Sequence, residues 1–211
     1  MKIALFGATG MIGQRVAREA LERGHDVTAI ARHPEKINIT HPHLTTLALD
    51  SREQDYIAKA VSGHDIVVNA IGPSNSEPSS ILVEVANALV EGLKLADVDR
   101  LLVSGGAGSL EVSPGVRLVD TPDFPAGWKD VALAHCEALA IYQASSLDWT
   151  YLSPAAMIAP GERTGKFRTG TDGVLADEEG LSNISVEDFA IALVDEIEAP
   201  RFIRRQFTVA Y

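Results

Sequence analysis

A chain of 211 residues, 46% hydrophobic and 22% charged, has the make-up of one soluble globular domain with room for a sizeable core. Its formal net charge of -11 argues against nucleic acid and anionic membrane as partners, since both call for a basic surface. The single cysteine, Cys136, closes no internal disulfide and points to the cytoplasm; no signal-peptide pattern opens the chain, and no apolar run reaches the ~18 residues of a membrane span.

In chain order, KIALFGA (2–8) is a short continuous apolar run and reads as a buried strand. MIGQRVAREALERG (11–24) sets Ile12, Val16, Ala17, Ala20 and Leu21 on one helical face and stops at Gly24. DVTAIAR (26–32) and LTTLALD (44–50) are the second and third strands, followed by a helix over 51–63. DIVVNAIG (65–72), a long helix over 78–96 and RLLVSGGAG (100–108) continue the alternation. A helix over 128–145, whose VALAHCEALAIY makes Cys136 a small buried residue, leads to the sixth strand, DWTYLSPAAMI (148–158). The stretch 159–183, rich in Gly, Thr and charge, reads as loops with one short hairpin. SVEDFAIALVDEIEAP (185–200) opens with a Ser185-to-Asp188 capping pattern, and RQFTVAY (205–211) supplies a final strand.

Strands alternating with helices of this length require right-handed crossovers and a parallel sheet covered on both faces. The expected architecture is a doubly wound α/β sheet of strand order 3-2-1-4-5-6, with a seventh strand from the C-terminal stretch. Residues 1–211 form one domain, with 159–211 as a small substrate-side cap.

The informative local feature is where Gly7, Gly10 and Gly13 fall, at the corner between the first strand and the first helix. A helix N-terminus presents unpaired N–H groups and partial positive charge, so it attracts phosphate. Gly7 permits a sharp turn, Gly10 removes a Cβ where a diphosphate approaches, and Gly13 lets helix and sheet pack closely. Thr9, Gly10, Met11 and Ile12 then line the phosphates of a dinucleotide; the plain alternative is a tight turn. At the end of the second strand, where an acidic residue selects NAD(H), stands Arg32, with His33 behind it. A planar guanidinium suits a 2′-phosphate, which favours NADP(H) and leaves NAD(H) open. Asp50 and Ser51 close the third strand beside the expected adenine, and NAIGPS (69–74) brings Ala70, Ile71 and Gly72 under the nicotinamide ribose. Ser104 ends the fifth strand, and Pro154, Ala155 and Ala156 follow the sixth, where backbone amides meet the carboxamide. Gly105, Gly106 and Trp128 border the substrate side. His33, His41 and His43 cluster in a loop without inward spacing and read as surface histidines, not metal ligands.

Together GATGMIG, the AR closing the second strand, NAIG, LLVSGGAG and LDWTYLSPAAMIAPGERTGKFR resemble the atypical short-chain dehydrogenase/reductases. Within them the similarity is to the NmrA-like NAD(P)H-binding proteins, which include NADH-flavin reductases and biliverdin-IXβ/flavin reductases, and it runs over nearly the whole chain. It implies a Rossmann fold and a nicotinamide cofactor. Ordinary members of the wider superfamily carry a Tyr-x-x-x-Lys pair on the helix before the sixth strand and a serine at the end of the fifth. Ser104 matches the serine, but the tyrosine and lysine positions are held by Val131 and His135. What the resemblance then implies is hydride transfer to a flavin-like or quinone-like acceptor, which draws its proton from water. Ser104 and His135 are the candidate catalytic groups, each also readable as a structural residue. Two other readings stand beside it: a non-enzymatic redox sensor that binds NAD(P)(H), and an epimerase or dehydratase. Monomer and homodimer are both compatible.

Overall fold

Successive residues of the first strand, Lys2–Phe6 (β1), feed two different cores. Ile3 and Leu5 pack on one side of the sheet, Ala4 and Phe6 on the other, and all four are fully buried. This is why the strand reads as an unbroken apolar run: a parallel strand covered on both faces has no solvent side to alternate toward.

The computed structural model describes residues 1–73 and 77–211. After β1 come helix α1 (Met11–Glu22), strands β2 (Asp26–Ala31) and β3 (Leu44–Ala48), helix α2 (Gln54–Val61), strand β4 (Ile66–Asn69) and helix α3 (Ile81–Ala96). Strand β5 (Arg100–Ser104) is followed by a small ribbon, β6 (Glu111–Ser113) and β7 (Val116–Arg117), then helix α4 (Ala126–Ala144) and strand β8 (Asp148–Ser153). Strands β9 (Met157–Ala159), β10 (Arg168–Gly170) and β11 (Asn183–Ser185), helix α5 (Val186–Glu198) and strand β12 (Arg205–Ala210) complete the order.

Eight strands form the main sheet in the order β10-β12-β8-β5-β4-β1-β2-β3. The six expected strands take the expected order, and the C-terminal strand β12 joins beside β8 in parallel. The short hairpin expected within 159–183 is not what the backbone forms there. Instead β10 pairs antiparallel with β12 at the sheet edge, while β9 and β11 form a separate parallel pair. Elsewhere the observed strands stop short of the sequence boundaries: Leu49, Ala70 and Gly105 still donate to the Ala31, Phe6 and Leu152 carbonyls of the neighbouring strands, and the chain turns away after them.

Helices α1 and α5 cover one face, with Val16, Ala17 and Ala20 in the same core as Phe189, Ala190 and Leu193. Helices α2, α3 and α4 cover the other. Ser185 caps α5 as expected, its hydroxyl accepting from the Asp188 N–H at 3.0 Å. An ionic seam ties α1 to the C-terminal half. Arg23 bonds Glu19 at 2.8 Å, Asp195 at 2.7 Å and Glu198 at 2.8 Å, and Arg163 reaches Glu19 at 2.8 and 2.9 Å. Cys136, expected in the core, is only half-buried on α4, where partial burial pushes its thiol pKa up. Among the described residues no helix is long and apolar enough to cross a membrane.

Candidate functional site

The corner between β1 and α1 is built as tightly as its glycines permit. Gly7 has φ of +78°, a left-handed conformation that a side chain disfavours. A Cβ there would also lie 2.5 Å from the carbonyl of Ala70, so β4 closes against the corner. A Cβ at Gly13 would come within 2.2 Å of the Gly7 carbonyl oxygen, so its absence lets α1 start directly on the end of β1. Gly10 is different. Its φ and ψ of -73° and 167° suit any residue, and a Cβ would meet only the Gly7 oxygen at 3.2 Å and the Ala70 oxygen at 3.9 Å. The Gly10 N–H donates to the Gly7 carbonyl at 2.9 Å, and the first intrahelical bond runs from Gln14 N–H to the Gly10 carbonyl at 3.0 Å. The amides of Met11, Ile12 and Gly13 precede that bond, in the turn where helix donors look outward for an acceptor.

A cleft of about 330 Å³ opens here over the carboxyl ends of the central strands. Of the residues singled out in the sequence, Gly7, Thr9, Gly10, Arg32, Asp50, Ser51, Ala70, Ile71 and Gly72 line it. Ile30, Ala31, Ile81 and Val85 add apolar surface, and Pro73 and Glu77 complete the rim. Ser74, the end of the NAIGPS stretch, lies outside the described residues. The cleft fits the nucleotide half of the expected cofactor: a Cβ-free cradle at Gly10, first-turn amides beside it and a cation on the rim.

Charges on the rim are paired. Arg32 donates from Nη1 and Nη2 to the two carboxylate oxygens of Glu77 at 2.5 and 2.9 Å. Asp50 accepts from Arg52 Nε at 2.9 Å and from the Arg52 N–H at 3.1 Å. The Arg52 hydrogen bond lowers the Asp50 pKa from its ordinary value. His33 stands outside the cleft, exposed and paired with Glu35 at 3.2 Å.

The remaining candidates lie past the cleft, around β5 and β8. Ser104 is buried at the end of β5, opposite Leu152. Gly105 and Gly106 follow it, and each is pressed on a ring: a Cβ on Gly105 would come 1.9 Å from Tyr151 Cε1, and one on Gly106 would come 2.9 Å from the His135 imidazole. The Tyr151 phenol accepts from the Gly106 N–H at 3.3 Å and donates to the His135 carbonyl at 3.1 Å. The His135 Nδ1 sits 3.2 Å from the Tyr151 phenol oxygen. With the phenol hydrogen engaged, this contact is satisfied by a proton on Nδ1 of a neutral ring. Burial lowers the His135 pKa to about 4 and pushes that of Tyr151 far above the ordinary phenol value. His135 is therefore uncharged at neutral pH, and the tyrosine and histidine act together as a support under the diglycine.

Pro154 carries no amide hydrogen, and the Ala156 N–H donates to Ser182 Oγ at 3.1 Å. Of the three residues expected at the carboxamide, Ala155 alone has an amide without that commitment. Trp128 is 54% exposed on the first turn of α4. Sequence reasoning missed several residues that shape these loops. Asn69 donates to the buried Tyr142 phenol at 3.2 Å and accepts from the Ile71 N–H at 3.1 Å, which fixes the turn against Gly7. Ser153 donates to the Gly106 carbonyl at 2.9 Å, and Gln206 reaches both Ser153 and Ser109, at 3.1 and 3.0 Å. The NAIG motif hinted at Asn69; nothing in the pattern marked Glu77, Ser153 or Gln206.

The model of the NAD(P)H-binding family matches residues 7–200. YwnB, an uncharacterized protein of Bacillus subtilis, is 40% identical over 213 residues, spanning 99% of this chain and 98% of its own. A solved structure from Burkholderia pseudomallei named "putative exported protein" is 53% identical, with a TM-score of 0.92 and 100% of both chains covered. A structure from Streptococcus pneumoniae named "putative NADH-flavin reductase" is 32% identical, with a TM-score of 0.88, covering 100% of this chain and 99% of that one.

Proposed function

Because the chain belongs to the NAD(P)H-binding family, we propose that it is an NADP(H)-dependent reductase that passes hydride to a flavin-like or quinone-like conjugated acceptor. The observation that carries this reading is the Gly10 cradle. A position whose backbone suits any residue is held by glycine where the helix amides open on the cleft. Thr9, the bare Cα of Gly10 and the amides of Met11 and Ile12 hold the diphosphate, Arg32 meets the 2′-phosphate without His33, which stands outside the cleft, and Asp50 and Ser51 flank the adenine. Ala70, Ile71 and Gly72 carry the nicotinamide ribose, and Ser104 and Ala155 orient the carboxamide. NAD(H) is the second cofactor. When bound, the reduced nicotinamide supplies the hydride.

The chain's own work is binding and orientation. An acceptor that spreads incoming charge over a conjugated ring takes its proton from solvent, so the chemistry needs no tyrosine held ready to ionise. Val131 and His135 at the Tyr-x-x-x-Lys positions accord with this. Gly105, buried against Tyr151, and Gly106, pressed on His135, fix the backbone on the acceptor side, and Trp128 offers a stacking face. His135, neutral and bonded to the phenol, serves as a positioning residue. The single cysteine suits a reducing cytoplasm. The similarity to the Streptococcus pneumoniae protein supports the acceptor class.

The test is NADPH oxidation followed at 340 nm with FMN and with a quinone, beside NADH. Turnover with either acceptor, faster with NADPH, is the expected result; no turnover on a broad panel would overturn the reductase reading. A second reading, a redox sensor that binds the nucleotide without turning it over, is favoured by the buried, hydrogen-bonded state of Tyr142 and Tyr151, the two tyrosines near β8. Tight nucleotide binding without turnover would select it.

A further inference from the structure

Arg32, the residue assigned above to the 2′-phosphate, already has a partner of the opposite charge. Glu77 takes both of its terminal nitrogens in a two-pronged pair, and the Glu77 side chain is 18% exposed against 51% for Arg32. The two residues face each other across the cleft rim. Asp50, the other carboxylate on that rim, is turned to Arg52 instead, and Arg52 in turn contributes like charge near Arg32. Among the described residues the charged groups lining the cleft are Arg32, Asp50 and Glu77, so the cation where a 2′-phosphate would have to dock is already engaged by a carboxylate.

A 2′-phosphate carries roughly two negative charges. It gains the planar fork of Arg32 only if Glu77 releases it, and it then sits beside a carboxylate left without that cation. A nucleotide with a free 2′-hydroxyl makes no such demand. Its hydroxyl donates to a carboxylate, and the ion pair stays whole. We propose that Glu77 is a specificity-determining residue: it competes with the 2′-phosphate for Arg32, narrows the preference for NADP(H) and keeps NAD(H) usable. This rests on the nucleotide-binding reading above.

The experiment is calorimetric titration of the full chain and of Glu77→Gln, Arg32→Gln and the double variant with NADPH and NADH. Adenosine 2′,5′-bisphosphate and 5′-AMP serve as probes of the phosphate alone. The expected result is that Glu77→Gln tightens NADPH and the bisphosphate roughly 5- to 10-fold, as the loss of a competing surface ion pair allows. NADH and AMP change less than about twofold, within the spread of distant or unrelated effects. In the Arg32→Gln background the same substitution has no such effect, because the contested guanidinium is gone. An unchanged NADPH-to-NADH ratio in Glu77→Gln overturns the inference while the nucleotide site stands. Equal tightening with and without Arg32 also overturns it, since that is the removal of a negative charge and not competition for the guanidinium. Failure of the wild-type chain to bind either nucleotide removes both this inference and the reading beneath it.

Discussion

Replacing Gly10 with alanine separates the demands of the fold from those of the ligand. The backbone at Gly10, φ -73° and ψ 167°, accepts alanine without strain. The new methyl meets the Gly7 oxygen at 3.2 Å, which must give by a few tenths of an ångström, and the Ala70 oxygen at an ordinary 3.9 Å. Alanine is a poorer helix N-cap than glycine, but it also lowers the entropy of the unfolded chain, so the two effects offset and stability shifts by less than about 1 kcal/mol. Binding fares differently. A methyl in the cradle holds a phosphate oxygen away from the first-turn amides, and a hydrogen bond to a charged group contributes about 1.5–3 kcal/mol. Losing one such bond weakens NADPH roughly 10- to 100-fold. Calorimetry gives the affinity and urea unfolding gives the stability, on the same preparation. Wild-type affinity in Gly10→Ala would refute the diphosphate assignment. A chain that no longer folds would show instead that the glycine serves the turn.

Gly13→Ala makes the contrast: its methyl would sit 2.2 Å from the Gly7 oxygen, so α1 must shift and urea unfolding should show a loss of about 1–3 kcal/mol. His135→Gln should flatten the acid limb of stability. In the native chain burial holds His135 neutral down to about 4, against an ordinary value of 6.5. The native state therefore loses stability as pH falls through 6.5, and the loss is complete below about 4. At about 1.4 kcal/mol per pH unit the gap is worth roughly 3 kcal/mol. Denaturant midpoints at pH 7, 5.5 and 4 check it, and parallel pH curves for the two chains would contradict it. Asp188→Ala should cost about 3–4 kcal/mol, because the buried carboxylate accepts from the Thr164 and Gly165 amides, both at 2.8 Å, and from the Tyr211 hydroxyl at 2.9 Å. Thermal unfolding reads the loss, and limited proteolysis should find new cleavage near 163–166.

The parts of this molecule written in short-range pattern were legible. Strand, glycine corner, helix and next strand fall within the first 31 residues, and their periods of two and 3.6 and their stop signals need no distant partner. The place of the cleft followed from them, since ligands collect where parallel strands end. What stayed hidden depends on partners far apart in sequence. Asn69 meets Tyr142 across 73 residues, Arg32 meets Glu77 across 45, and Arg15 meets Glu187 across 172. Glu77 sits in SNSEPSS, a polar stretch with no periodicity to betray a role. Strand β10 was missed because three residues joined at a sheet edge leave too short a trace, and their partner β12 lies about 40 residues further along.

The ionic seam between α1 and the C-terminal half bears on how the chain emerges during synthesis. Arg23 lies a few residues beyond the glycine corner, yet two of its three acidic partners belong to the last helix and its end. Phe189 and Leu193 of that helix fill the pocket behind Val16 and Ala17. A nascent chain stalled before residue 186 would display the glycine corner on a helix with one flank bare. If the glycine corner holds the nucleotide as proposed, capture on the ribosome should begin only once the segment through residue 198 has left the exit tunnel.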